Sequence, residues 1–267
     1  MTIAVEMLNR LVPKFKGFEK TIEIIVDGGY ANESVLSPLD KLANVVVITR
    51  LRRDAALFEI PVQPTVRGRG RPKKYGNRID TPSMVASLDG WQEVECRQYG
   101  RVVTKQVKSF IATSRLTRGK PIKVVLVKED EKTWLPLMSS DAGMSVLEIL
   151  ESYAVRFGIE EMFKDLKEVW GWGKQELRKL ESNEAATTMN MLLFGMTELA
   201  TWECSQEELV DRQDSPWDDG ERRPSHADRR NFLRRAMIAK DFYDALHWAA
   251  IPTKIIHVLE KLMRIAA

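Results

Sequence analysis

The stretch Thr21-Ile-Glu-Ile-Ile-Val26, continued by Asp27-Gly28-Gly29-Tyr30 and answered further on by Val45-Val-Val-Ile-Thr49, decides how this chain folds. The first run is rich in β-branched residues and is bounded by Gly17 and by Gly28-Gly29, which predicts a strand. Residues 32–42 predict a short helix with Asn32 as its N-cap. Val45 to Thr49 is apolar without alternation, the mark of a strand buried on both faces. Strand, helix, strand in that order is a βαβ unit, with parallel pairing and a right-handed crossover. The fold class is therefore α/β. Asp27 falls at the carboxyl end of the first strand, where open α/β sheets place ligands, and the glycines after it let the backbone turn sharply.

Outward from that unit, residues 3–16 predict a helix with apolar Val5, Leu8, Leu11, Val12 and Phe15, interrupted near Pro13. Residues 61–82 are rich in Pro, Gly and Arg and predict an irregular segment. Residues 91–112 alternate polar and apolar and predict a hairpin turning near Gly100. Ile122–Val127 and Thr133–Met138 predict two more strands, joined by the charged turn Glu129-Asp130-Glu131. Ser139-Ser-Asp141 offers an N-cap for a helix near 145–156. A second helix, bent at Gly158, ends at Trp170-Gly171-Trp172-Gly173, and residues 182–202 predict another. Trp170 and Trp172 read as packing residues.

The segment around the bend carries the chemistry. In Tyr153-Ala-Val-Arg156-Phe-Gly-Ile-Glu160-Glu-Met-Phe-Lys-Asp-Leu-Lys167, the four named polar residues sit at i, i+3, i+7 and i+14. On one continuous α-helix they fall within a stripe about 60° wide. A carboxylate among cationic and hydroxyl donors suits a site that holds a divalent metal and a phosphodiester together. Glu161 lies about 100° around the helix from Glu160, off the stripe.

The spacing Tyr-x2-Arg-x3-Glu-x6-Lys resembles the signature of bacterial insertion-sequence transposases of the DDE type. Asp27-Gly-Gly-Tyr30 resembles the second acidic position of the same family. The resemblance implies an RNase H-like catalytic core with an inserted β-rich region, acting on double-stranded DNA at transposon ends by metal-dependent cleavage and strand transfer. It implies Asp27 and Glu160 as catalytic ligands of Mg²⁺ or Mn²⁺. Tyr153, Arg156 and Lys167 would orient DNA phosphates. The family's first Asp lies on the first core strand. Residues 1–26 contain no Asp, and Glu6, Glu19 and Glu23 do not sit in that context. The expectation is thus a partial core, truncated before the first ligand and inactive alone. A separate N-terminal fragment or a homodimer in a synaptic complex would complete it. The alternative is a non-catalytic DNA-binding regulator or a decayed remnant.

The expected organisation is a partial core over 1–51, a β-rich insertion with a basic loop over 52–138, the glutamate-bearing core over 139–204, a linker over 205–225 and a helical C-terminal segment over 226–267. The basic loop holds six cations, Arg67, Arg69, Arg71, Lys73, Lys74 and Arg78. Such an extended segment tracks phosphates or enters a narrow minor groove, and Arg69-Gly70-Arg71-Pro72 resembles the core of an AT-hook. Arg50, Arg52 and Arg53 follow a core strand and read equally as phosphate contacts or as an exposed strand end. Arg229, Arg230, Arg234 and Arg235 read as a helix face, solvated or touching DNA. The C-terminal segment reads as two helices broken near Pro252.

Composition bounds these readings. With 267 residues, 44% of them hydrophobic, the chain has material for a real core, and its net charge of +3 is small but clustered. Cys96 and Cys204 form no metal-ligand pattern and fit a reducing compartment. His226, His247 and His257 are scattered, which argues against zinc. The apolar run from Met189 to Trp202 is interrupted by Glu198 and is too short to span a bilayer. With no signal-peptide pattern at the N-terminus, the expected location is the bacterial cytoplasm, on the nucleoid, away from any membrane.

Overall fold

A computed structural model of the chain describes residues 2–15, 20–39, 42, 44–62, 73–130, 133–210, 217–219 and 222–245. It divides into two compact units, Met1–Gly158 and Ile159–Ala267. The fold is α/β, as the sequence predicts.

The first unit opens with α1 (Thr2–Leu11), which tightens into a 3₁₀ turn at Val12–Phe15 where Pro13 ends it. Then come β1 (Ile22–Val26), α2 (Glu33–Leu39) and β2 (Val45–Arg50). Asn32 caps α2, its side-chain oxygen accepting the Val35 N–H at 3.2 Å. β1 and β2 are parallel, with Val26 opposite Thr49. The chain continues through β3 (Leu57–Phe58), α3 (Thr81–Ala86), β4 (Gln92–Gln98), β5 (Arg101–Ser114), β6 (Pro121–Lys128), β7 (Trp134–Ser139) and α4 (Val146–Val155). The helix α3 is not expected from the irregular reading of residues 61–82. Its local signal is Asp80, whose carboxylate caps Ser83 N, with Pro82 in the first turn.

Among the described residues the seven strands form one sheet in the order β1-β2-β7-β6-β5-β3, with β4 also paired to β5. Only β1 and β2 run parallel; the other named pairs are antiparallel. The strands of residues 52–138 thus extend the βαβ sheet directly, because β7 hydrogen-bonds to β2. The β4–β5 hairpin turns on Tyr99 and Gly100, both at positive φ (52° and 76°). That backbone matches strand twist and favours glycine at the second place.

Alternation along the strands builds two cores. Val47, Val124, Leu126 and Met138 join Val35, Leu36 and Leu39 on one face. Ile48, Val125, Val127 and Leu137 join Ile149 and Leu150 of α4 on the other. Both sheet faces are covered, which is why β2 reads as an unbroken apolar run. Ser145, not the Ser139–Asp141 group, caps α4, in a reciprocal capping box with Glu148. Asp141 instead closes a local turn by accepting the Gly143 N–H at 2.8 Å.

The second unit holds α5 (Gly158–Glu168, beginning at the boundary), α6 (Leu180–Ala200), α7 (Gln206–Leu209) and α8 (His226–Ala245). The stretch read as a linker thus begins with an ordered turn. Its Ser205–Glu208 capping box starts α7, and Leu209 and Val210 are buried. Arg222 forks onto Asp218 and Asp228 at the entry to α8. The sequence reading of a break near Pro252 lies outside the described residues, as do Arg67, Arg69 and Arg71. No helix among the described residues is long and apolar enough to cross a membrane.

Candidate functional site

Asp27 leaves the end of β1 with extended backbone (φ −70°, ψ 158°) and precedes the 3₁₀ turn Gly28–Tyr30. Its carbonyl is used, accepting from Tyr30 N–H at 2.9 Å and from the Thr49 hydroxyl at 3.3 Å. Its carboxylate caps nothing and stands half-exposed. The parallel register carries Arg50 alongside, and one guanidinium nitrogen reaches the Asp27 carboxylate at 3.9 Å. At that distance and exposure the pair is weak, so each group remains able to take another partner.

Gly28 sits where this approach is tight. A Cβ there would stand 3.1 Å from the Arg50 carbonyl oxygen and 3.3 Å from its Nε, whereas one at Gly29 meets nothing within 4 Å. The close approach of backbone to side chain, not a left-handed φ, accounts for the first glycine.

The α4 helix brings two of the expected residues to this place. Glu151 accepts the Arg97 N–H of β4 at 2.8 Å and Ser152 donates to Glu23 of β1 at 2.6 Å, so its last turn is held from two sides. Tyr153 packs against the second core, and the Arg156 guanidinium lies over its ring at 5.9 Å. Burial pushes the Tyr153 phenol up from its ordinary value. Positive charge on Arg156 and Arg50 opposes that rise and the Asp27 carboxylate adds to it, so the phenol shares a field with all three. Asp27, Arg50, Tyr153 and Arg156 therefore form one cluster. Arg50 is the member that motif spacing does not reveal. The pairing of Val26 with Thr49 does, since it sets the next residues side by side.

The single stripe expected from Tyr153 to Lys167 is corrected. The helix stops at Val155 and resumes at Gly158. Arg156 N–H and Phe157 N–H bond to carbonyls three residues back, at 3.2 and 3.3 Å, which tightens and ends α4. Phe157 turns onto Tyr99 of the hairpin, ring centroids 5.3 Å apart. Tyr153 and Arg156 belong to the first unit, Glu160 and Lys167 to the second.

On α5, Glu160 and Glu161 occupy the first turn, and Lys167 the last, the charge order that the helix dipole favours. Both Glu160 and Lys167 are exposed. The Lys167 ammonium lies over the Trp172 ring at 5.9 Å, and that ring stacks on Phe163 at 5.7 Å. Trp172 also donates to the Thr187 hydroxyl at 3.0 Å, so it packs the unit as expected. Lys73 and Lys74 are exposed at the start of a described segment.

One buried network escapes motif reading. Trp170 Nε1–H donates to His226 Nε2 at 2.8 Å, which leaves the ring proton on Nδ1 for Glu198, 2.6 Å away. Phe194 stacks on the imidazole at 4.1 Å. Arg229 donates to the Thr201 carbonyl and Arg230 to that of Val169, at 3.2 and 3.0 Å. These two arginines bind within their own unit.

Carboxylate oxygens are the hard donors that Mg²⁺ and Mn²⁺ prefer, so the chemistry of Asp27 and Glu160 fits such an ion. Among the described residues no group of three His, Cys, Asp or Glu side chains is placed to hold a metal.

An acid at the carboxyl end of a parallel strand pair, with two guanidiniums and a phenol near it, defines an α/β protein with a mixed acidic and basic site. The family model for the transposase DDE domain matches residues 1–194, and the chain belongs to that family. No curated protein and no solved structure matches it.

Proposed function

We propose that the chain acts in DNA transposition as a DDE-type strand-transfer subunit, through Asp27 and Glu160, on double-stranded transposon ends. The observation that carries this is the Asp27–Arg50–Tyr153–Arg156 cluster in a chain of the transposase DDE family. Bound divalent metal, Mg²⁺ or Mn²⁺, would supply charge neutralisation for attacking and leaving oxygens. Asp27 and Glu160 would each give it a carboxylate oxygen. Arg156 presents a planar fork that fits two phosphate oxygens, and Arg50 beside Asp27 offers another. Tyr153, raised in pKa and so neutral at ordinary pH, donates its phenol proton as a hydrogen bond. Lys167 acts as a point charge. The basic residues Arg67, Arg69, Arg71, Lys73 and Lys74 contact the phosphates of flanking DNA.

Catalysis by this polypeptide alone is not expected. In this reading a third acidic ligand comes from another segment or from a second copy in a synaptic pair. A second reading is a DNA-binding regulator without cleavage. The working place in either case is the bacterial cytoplasm, on the nucleoid.

The test is Mn²⁺-dependent nicking and joining of a terminal-repeat duplex by the full chain, with and without an added fragment carrying an Asp-ended strand. Activity on addition, abolished by Asp27→Asn and by Glu160→Gln with folding intact, is the expected result. Binding without cleavage under every condition selects the regulator. Activity that survives Glu160→Gln removes that residue from the site.

A further inference from the structure

His226 opens α8, and its side chain is only 2% exposed. It lies between three elements of the second unit. The chain leaves α5 through Val169, whose N–H bonds to the Asp165 carbonyl at 2.8 Å, and reaches Trp170, whose indole N–H donates to His226 Nε2 at 2.8 Å. On α6, Phe194 stacks on the imidazole and Glu198 takes the Nδ1 proton at 2.6 Å. From α8 itself, Arg230 lies over the Trp170 ring at 5.4 Å and donates to the Val169 carbonyl. One imidazole thus ties the end of α5 to α6 and α8.

The arrangement fits a single protonation state. An indole nitrogen is a donor only, so Nε2 must offer it a lone pair. An ionised carboxylate is an acceptor only, so Nδ1 must carry the proton. A second proton would sit on Nε2 and face the indole N–H, donor against donor, at a ring shielded from water. The charged groups around the ring pull both ways. Glu198 of α6 and Asp165 of α5 draw a proton toward it. Burial raises the Asp165 pKa and charge on His226 opposes that rise, so those two share a field. Arg229 of α8, 3.5 Å from the Glu198 carboxylate, opposes a further cation, as does the N-terminal end of a helix.

We propose that His226 is a positioning residue for α5, the helix that carries Glu160, and that it works as a proton-sensitive clamp. The neutral imidazole fixes Trp170 and with it the C-terminal end of α5. A proton taken up from solvent turns Nε2 from acceptor to donor, breaks the Trp170 bond and leaves the Glu198 pair in place. The link to the metal site rests on the proposed role of Glu160; the clamp itself does not.

Nitrogen-edited NMR of the full chain tests this without metal or DNA, from about pH 8 to about pH 5, the range in which histidine changes charge. At the upper end the His226 ring is expected with Nδ1 protonated and Nε2 bare. The opposite tautomer overturns the assignment and needs no variant to detect. The indole N–H signal of Trp170, identified by its loss in Trp170→Phe, is expected to leave its hydrogen-bonded position in one step as His226 protonates. The amide signals of residues 165–170 should move with it. In His226→Gln, whose amide accepts and donates without titrating, the Trp170 signal should stay hydrogen-bonded throughout. A signal that does not move in the unaltered chain refutes the clamp. So does one that moves equally in His226→Gln, since another group then drives it. Strand transfer that survives Glu160→Gln strikes the link to the metal site and leaves the clamp standing.

Discussion

Gly28 and Gly29 are adjacent, and only one of them is constrained. A methyl group at position 28 meets the Arg50 carbonyl oxygen at 3.1 Å, so Gly28→Ala must displace Arg50 or the turn. Such overpacking costs about 1–3 kcal/mol, and the cluster around Asp27 loosens with it. Gly29→Ala is expected to be close to neutral, since its added atom meets nothing within 4 Å. Urea unfolding of the two variants decides the point, and equal losses would remove the steric account. Asp228 makes the matching statement for the second unit. Burial raises its pKa, but bonds from Arg222 and Ser225 outweigh burial and hold the carboxyl below its ordinary value. A lowered native pKa contributes stability above about pH 4, the unfolded value, and that contribution disappears as pH falls through the native one. Asp228→Asn is therefore expected to flatten the acid limb of the stability profile. A limb of unchanged steepness counts against it.

At the scale of elements, the break between α4 and α5 separates the motif into two helices. Gly158 begins the second of them and a Cβ there meets nothing within 4 Å. Gly158→Ala should therefore stabilise the chain by ~0.5 kcal/mol, by lowering the entropy of the unfolded chain. Thermal unfolding measures this, and a destabilised variant would mean that the break needs glycine. The hairpin of β4 and β5 contributes at the same scale. Its turn residue Tyr99 receives Phe157, so the place where α4 stops is set by a contact from another element. A reading confined to residues 145–168 gives two helices with a bend at Gly158 but does not contain that contact.

For the whole molecule, nucleic-acid affinity is a matter of summed charge. Replacing Arg67, Arg69, Arg71, Lys73, Lys74 and Arg78 with Gln should weaken duplex binding and flatten its salt dependence, by roughly 0.9 in log–log slope for each phosphate that is no longer neutralised. Fluorescence anisotropy across a salt series reads both effects, and an unchanged slope excludes the loop from the interface. Much of the molecule was legible before any coordinates. The βαβ start, the hairpin at Gly100 and the strands β6 and β7 all follow from periodicity and short motifs, because strand periods and turn chemistry are local properties of the chain. Arg50 beside Asp27, Tyr153 under Arg156 and the Trp170–His226–Glu198 network do not follow from spacing. Each joins residues whose meeting depends on sheet register, on the point where a helix stops and on which face each element buries. Those are outcomes of packing the whole chain at once, where burial and hydrogen-bond satisfaction are traded among elements that no local window contains together.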